Sequence, residues 1–298
     1  MTTVSILIPH YNDPDGLALS LRSIESQTWR GAREIVVVDD GSRPEHQARL
    51  DEVIATSPER IRLVRNGVNR GRPWTRNVLL DNADGKYLTW LDAGDEYYPR
   101  KLELQLEGLY AARAAGATGP IWATAHSDLR WVGGQRKLRR VVQRVDGDQL
   151  ANLLLDSLRA YLYTLLGRTE TFRDVGYFDL KLPRLQDLDF FLRFIERGGR
   201  LVLPPGDESL CVYHKTDVGR NGDEVLRCNQ YLFRKHAAWL MTRSRRFRRN
   251  RQFHQHMLAA RFTNNNDDRV ATLRHLAASA STSPWAFGRW IVKTRGRL

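Results

Sequence analysis

Over the first 115 residues, short apolar runs of strand length alternate with segments whose apolar residues recur at helical spacing, and this alternation restricts the fold more than any other feature. Val4 to Pro9 (VSILIP) reads as a buried strand, and Leu17 to Ile24 as the helix after it. Glu34 to Asp39 (EIVVVD), Ile61 to Val64 and Tyr87 to Asp92 (YLTWLD) repeat the strand signal. Helical segments lie between and after them at Arg49 to Ile54, Trp74 to Leu80 and Pro99 to Ala115, the last with Pro in the favourable first turn. Strands alternating with helices imply an α/β chain with a mostly parallel sheet covered on both faces.

After Gly116 the rhythm changes. Ile121 to Trp131 and Leu138 to Val145 read as antiparallel strands about a Gly133-Gly134 turn, and Leu162 to Gly167 as a further strand. Gln186 to Glu196 reads as a helix closed by Gly198-Gly199, with short extended segments at Leu201 to Leu203 and Leu210 to Tyr213. Beyond Asp223 the pattern is helical, interrupted at Asn264 to Asp268 and at Pro284.

Composition removes several classes. With 298 residues and 42% hydrophobic side chains, the chain can bury a substantial core. Its purely apolar runs fall far short of the roughly 20 residues that a membrane-spanning helix needs. Met1 to Pro9 carries no basic residue and runs straight into a strand, so no secretory signal is expected there. Two cysteines, Cys211 and Cys228, fit a reducing compartment better than a disulfide framework, and a cytoplasmic setting is expected. The net charge of +13 is concentrated: from Tyr231 to Leu298 there are 15 Lys and Arg against Asp267 and Asp268, while the first 230 residues hold 32 basic and 32 acidic side chains. Six arginines lie between Arg243 and Arg251, beside Phe247 and Phe253, in a tract that could form an amphipathic helix. Such a tract would attract phosphate on anionic lipid or nucleic acid, although a solvated basic face is the simpler alternative.

In an open parallel sheet the ligand crevice lies outside the carboxyl ends of the strands. The residues just past those ends are Tyr11-Asn12-Asp13, Asp39-Asp40-Gly41-Ser42, Asn66 to Gly71, and Asp92-Ala93-Gly94-Asp95, with Arg72 and Arg76 nearby. Carboxylates gathered in a cleft repel, and either a bound divalent cation or protonation of one partner relieves this; a cation is the favoured reading. Pro9-His10-Tyr11-Asn12-Asp13-Pro14 contains no G-x-G-x-x-G, and no G-x-x-x-x-G-K-[ST], H-E-x-x-H or G-x-S-x-G occurs anywhere. Dinucleotide dehydrogenases, P-loop enzymes, zincins and elbow hydrolases are therefore unsupported.

Five segments in order, Val4 to Asn12 (VSILIPHYN), Val37 to Ser42 (VVDDGS), Asn69 and Gly71 with Arg76-Asn77, Leu91 to Asp95 (LDAGD) and Gln186 to Arg193 (QDLDFFLR), resemble the family-2 glycosyltransferases over about the first 215 residues. The resemblance implies a GT-A type, Rossmann-like sheet, a nucleotide-sugar donor, a Mn2+ or Mg2+ ion and inversion at the anomeric carbon. It assigns residues 1–222 to a catalytic domain, with a nucleotide-sugar half to about 115 and an acceptor half after it. Residues 223–298 form a basic helical extension outside the match.

By the same resemblance, Pro9, Tyr11, Asn12, Asp40, Asn69, Gly71, Arg76, Asp92 and His214 would surround the donor. Asp40 would read the nucleobase, and since an ionised carboxylate only accepts hydrogen bonds it suits the N–H of uracil, thymine or guanine rather than cytosine. Asp92 and Asp95 would hold the metal, although Gly94 stands where the family more often has a second acid. Asp187 would be the catalytic base at a helix N-terminus, expected to stay ionised, with Gln186 where Glu is commoner. Arg76 and His214 are candidate diphosphate cations, and His214 to Asn221 is expected to order over the donor. Trp74, Trp90 and Trp122 read as core or cleft wall. Acceptor choice is expected in Ala125 to Asp156, with a lipid-linked or cell-envelope acceptor and peripheral attachment at the inner membrane face. Rival readings are transfer to nucleic acid or an associated protein, a nucleic-acid-binding protein acting through its tail, and a glycoside hydrolase.

Overall fold

A computed structural model describes residues 3–131, 138–215 and 221–295. The chain divides into two compact units, Met1–Thr216 and Asp217–Leu298, with the break between residues 216 and 217 rather than after 222.

In the first unit the expected alternation forms β1 (Thr3–His10), α1 (Pro14–Glu25), β2 (Ala32–Asp39), α2 (Pro44–Thr56), β3 (Ile61–Arg65), α3 (Arg72–Asp81) and β4 (Tyr87–Trp90). Then follow β5 (Glu96–Tyr97), α4 (Lys101–Ala114), β6 (Ile121–Ala123), β7 (His126–Trp131), β8 (Arg139–Val141) and α5 (Gln149–Leu154). A 3-10 turn at Leu162–Thr164, β9 (Leu166–Arg168), α6 (Thr169–Val175), α7 (Gln186–Glu196), β10 (Arg200–Val202) and β11 (Ser209–Lys215) complete it. The main sheet runs β10-β6-β9-β4-β1-β2-β3. Every pairing in it is parallel except the two made by β9. A second sheet runs β5-β11-β7-β8.

Val4, Ile6, Leu7, Ile8 and Val36 to Val38 are fully buried, which is why β1 and β2 read as continuous apolar runs instead of alternating ones. Prolines at the first turns of α1, α2 and α3 occupy positions where no backbone donor is needed. Pro99, expected inside a helix, precedes α4, whose cap is Arg100. Ile121 to Trp131 is two strands in different sheets instead of one. The turn expected at Gly133-Gly134 lies outside the described residues. Trp122 carries the helical side of the core: its ring stacks on Phe172 and Phe194 at centroid separations of 4.2 and 3.5 Å. Phe190 and Phe191 of α7 are fully buried beside it, so α7 is locked to the sheet by aromatic packing.

The second unit is helical: α8 (Gly222–Lys235), α9 (Ala237–Met241), α10 (Arg245–Asn265), α11 (Arg269–Thr282) and α12 (Pro284–Thr294). Gly222 lies where a Cβ would come within 2.6 Å of the Ala259 carbonyl oxygen, so α8 and α10 approach closely there. Arg251, in the arginine tract, is buried and donates to Asn229 Oδ1 at 2.8 Å. Among the described residues, no helix is long and apolar enough to cross a membrane.

Candidate active site

The parallel strands β1, β2, β3 and β4 end at His10, Asp39, Arg65 and Trp90, and the loops that follow are stitched together. Asn12, with φ at +52°, donates its N–H to Ser42 Oγ (2.8 Å) and accepts from the Arg43 N–H through Oδ1 (2.8 Å). Ser42 Oγ donates to Asp39, whose Oδ1 also lies 3.1 Å from His10 Nδ1. Against burial, which raises it, these partners hold the Asp39 carboxyl below its ordinary value. His10, Asp39 and Ser42 are all buried, so this trio braces the loop ends and is closed to a substrate. Sequence reasoning gave His10 no role of its own; the signal available was a histidine at the last position of the strand Thr3–His10.

Asp40 anchors the next loop. Its Oδ1 accepts from Asn66 Nδ2 (2.8 Å) and the Arg70 N–H (2.9 Å), and its Oδ2 from the Gly71 N–H (2.8 Å). A carboxylate has about four lone-pair sites, so about one acceptor position is left, on Oδ2. The loop passes so close to Gly41, at φ +70°, that a Cβ there would sit 2.5 Å from Asn69 N. Only glycine fits. Tyr11 is 48% exposed, Asn69 is exposed, and Pro9 is half-buried within β1; none of these side chains is drawn into the network described here. Trp90 and Trp122 are core, whereas Trp74 is half-buried with the Arg70 guanidinium 4.6 Å over its ring.

Arg76 joins the distant parts. From the first turns of α3 its buried guanidinium places Nη2 3.1 Å from both Asp92 oxygens, and Nη1 donates to Asp187 Oδ1. Burial opposes its charge, but Asp187 and Asp92 outweigh that and raise its pKa. Arg76, expected as a diphosphate cation, contacts two carboxylates. Gln186, in the amide orientation that satisfies its neighbours, accepts from Arg76 Nη1 at 2.8 Å and donates to the Leu182 and Pro183 carbonyls. A neutral amide thus supports Arg76 where a third carboxylate would overload it. Leu185, in the left-handed conformation at φ +62°, caps α7 and sets Asp187 in its first turn. Burial raises the Asp187 carboxyl above its ordinary value, with the Arg76 charge pulling it down. The Asp187 side chain keeps 28% of its surface accessible and Asp92 35%, so both face the cleft.

Asp95 is buried. Its Oδ1 accepts the His214 N–H at 2.9 Å, and its Oδ2 has no hydrogen-bond partner. Burial, and then the Asp92 charge, raise its carboxyl well above the ordinary range. The His214 ring, expected at the diphosphate, lies with Nε2 2.6 Å from Glu96 Oε1, a partner the sequence did not flag. The expected ordering of His214 to Asn221 involves residues 216–220, outside the described residues. Gly94, at φ +92°, leaves open the space where a Cβ would lie 3.4 Å from Asp13 Oδ2.

Among the described residues, no group of three or more His, Cys, Asp or Glu side chains converges to hold a metal by itself. An ion of the Mg2+ type takes one or two carboxylates and fills its other positions with phosphate and water. Asp92 at the cleft and the unpartnered Oδ2 of Asp95 are the two carboxylates that would meet such an ion.

Comparison with known proteins decides the family. The model of Glycosyl transferase family 2 matches residues 5–166, more than half of the chain. The chain belongs to glycosyl transferase family 2. The match begins within β1, runs through β2 to β4, Arg76, Asp92 and Asp95, and stops before Asp187. An uncharacterized glycosyltransferase of Rickettsia conorii is 28% identical over 231 residues, covering 77% of this chain and 36% of its own. The Escherichia coli protein WfgD, named UDP-Glc:alpha-D-GlcNAc-diphosphoundecaprenol beta-1,3-glucosyltransferase, is 33% identical over 103 residues, 35% of this chain and 39% of its own. The crystal structure of Staphylococcus aureus TarS superposes with a TM-score of 0.58 at 16% identity, over 96% of this chain and 50% of TarS. A TarS 1–349 structure in complex with UDP-GlcNAc gives 0.57 at 16% identity, over 96% of this chain and 83% of that one. At these identities TarS shows the GT-A-like fold alone. The family-2 transferase chain described here spans about a third of the length of the first curated relatives it matches.

Proposed function

We propose that the protein transfers a sugar from a UDP-type nucleotide donor, with dTDP or GDP as the related alternatives, to a hydroxyl acceptor with inversion. The observation that carries this reading is Arg76 holding Asp92 and Asp187 in one network at the carboxyl edge of the sheet. Asp187 takes the proton from the acceptor hydroxyl as that oxygen bonds to the anomeric carbon, and the bond from that carbon to the diphosphate oxygen breaks with its electron pair leaving on the phosphate. Burial raises the Asp187 carboxyl, which makes it a stronger base while ionised, and the Arg76 charge opposes that rise. Asp92 and Asp95 would hold the Mn2+ or Mg2+, which when bound neutralises charge on the departing diphosphate. Asp40, through its remaining acceptor position, meets an imide N–H of the base, and Tyr11 offers an exposed ring beside it.

UDP-GlcNAc bound by TarS and the UDP-Glc donor in the name of WfgD support the uridine choice. The diphosphoundecaprenol acceptor in the name of WfgD supports a lipid-linked or cell-envelope acceptor here, met at a membrane face from the cytoplasmic side. The test is Asp187→Asn: transfer is expected to fall by about 10²- to 10⁴-fold while UDP binding persists. Turnover within a fewfold of the parent would remove the mechanism.

A further inference from the structure

The C-terminal unit holds a surface that the transfer reaction does not use. α12 buries none of its residues. Phe287 and Trp290 are half-buried and pack together with ring centroids 5.4 Å apart, yet Trp285 and Val292, on the other side of the helix, are also apolar. Trp285 is 59% exposed, Ile291 44% and Val292 82%, with Gly288 exposed between them. Trp285, Gly288 and Val292 recur at spacings of three and four, so they share one line along the helix. Basic side chains accompany that line: the guanidiniums of Arg246 and Arg289 lie 5.0 and 4.6 Å from the Trp285 ring centroid. Arg249 of the same tract donates to the Thr282 carbonyl at 2.8 Å, which holds the start of α10 to the end of α11 next to α12. From Arg269 to Arg295 there are five basic residues and no acid.

We propose that the outer face of α12 inserts shallowly into the headgroup layer of an anionic bilayer, with Trp285 and Val292 in the acyl boundary, Ile291 at its flank, and Arg246, Arg289 and Lys293 at the phosphates. An apolar face ringed by cations, with no acid near, matches a negatively charged hydrocarbon surface in both respects. A nucleic acid would need the cations and could use Trp285, but it gains nothing from two exposed aliphatic side chains. The arginine tract by itself is not the amphipathic element: Arg251 is buried within the bundle, and the apolar face lies on α12. The inference deepens the reading of a membrane-borne acceptor and rests on it only for its purpose, since the surface belongs to the C-terminal unit alone.

The experiment is co-sedimentation of the full chain with phosphatidylcholine vesicles, with and without phosphatidylglycerol, and a competing DNA duplex. The parent chain is expected to partition onto the phosphatidylglycerol vesicles. The double variant Trp285→Ser with Val292→Ser, whose charge is unchanged, is expected to bind them about tenfold or more weakly. Equal binding by parent and variant, no binding by the parent, or preference for DNA would each overturn the proposal. Melting temperature and UDP-dependent stabilisation are read on the same samples. A variant that melts with the parent excludes misfolding, and loss of the UDP response in both would count against the transferase reading while leaving the vesicle result standing.

Discussion

The two units of this chain treat charge in opposite ways. At the sheet edge of the first, charged groups are matched by fixed partners: the buried Arg76 with Asp92 and Asp187, Asp39 with His10 and Ser42, Asp40 with two backbone N–H groups and an amide. In the second, cations are left in solvent beside aromatic rings, as Arg246 and Arg289 are around Trp285. Matched, desolvated charges fix geometry because removing either partner strands the other, whereas exposed cations add little rigidity and remain available to an outside anion. The first arrangement suits chemistry that requires fixed distances. The second suits a surface that must adapt to its partner.

That contrast predicts a steep ranking of substitutions. Arg76→Leu should cost about 3–5 kcal/mol in urea unfolding, because two carboxylates then crowd the cleft without their cation. A loss under about 1 kcal/mol, the size of an exposed ion pair, would erase the distinction between the units. Next comes Lys101, buried with Nζ donating to Thr89 Oγ1 (2.8 Å) and Gln105 Oε1 (2.7 Å) and, among the described residues, no carboxylate partner. Burial lowers its pKa from 10.5 to about 7. The unfolded chain therefore binds a proton that the folded chain sheds between those values, and stability from this group should rise with pH from about 7 to 10. Below that window its burial is fully unfavourable. Lys101→Met should flatten the slope, which a series of melting curves across the window would read.

Gly41→Ala is expected to cost about 1–3 kcal/mol, since the positive φ and the approach of Asn69 both oppose a methyl group. It should also weaken UDP binding through the displaced 66–71 loop; an unchanged affinity would detach that loop from the donor site. Smallest is Arg246→Ala, expected to change stability by no more than about 1 kcal/mol because its contact with Trp285 is exposed. A larger loss would mean that the second unit also relies on its cations for folding.

The sequence carried the parallel sheet because β1 and β2 are buried on both faces, and a continuous apolar run survives as a local signal. The loops at the strand ends were legible for a related reason: topology alone sends them to one edge. The partners inside the site were not. Arg76 and Asp187 stand 111 positions apart, and nothing local to Arg76 distinguishes a guanidinium that meets phosphate from one that bridges carboxylates. His214 raises the same difficulty, since its ring partner Glu96 lies 118 positions away. β5 escaped notice because two residues give no periodicity, and Ile121 to Trp131 misled because a strand that changes sheets keeps its composition. In the C-terminal unit the arginine tract drew attention by composition, while the apolar face of α12 emerges only when burial shows which side of that helix stays uncovered.

The most direct test of the central claim, that the carboxyl edge of the sheet is a nucleotide-sugar site, is a thermal-shift panel of UDP, dTDP, GDP and CDP with and without manganese. UDP in the presence of manganese should raise the melting temperature in proportion to its saturation, CDP should not, and Asp40→Asn should abolish the difference. Equal response to all four nucleotides, or no response to any, would contradict the account.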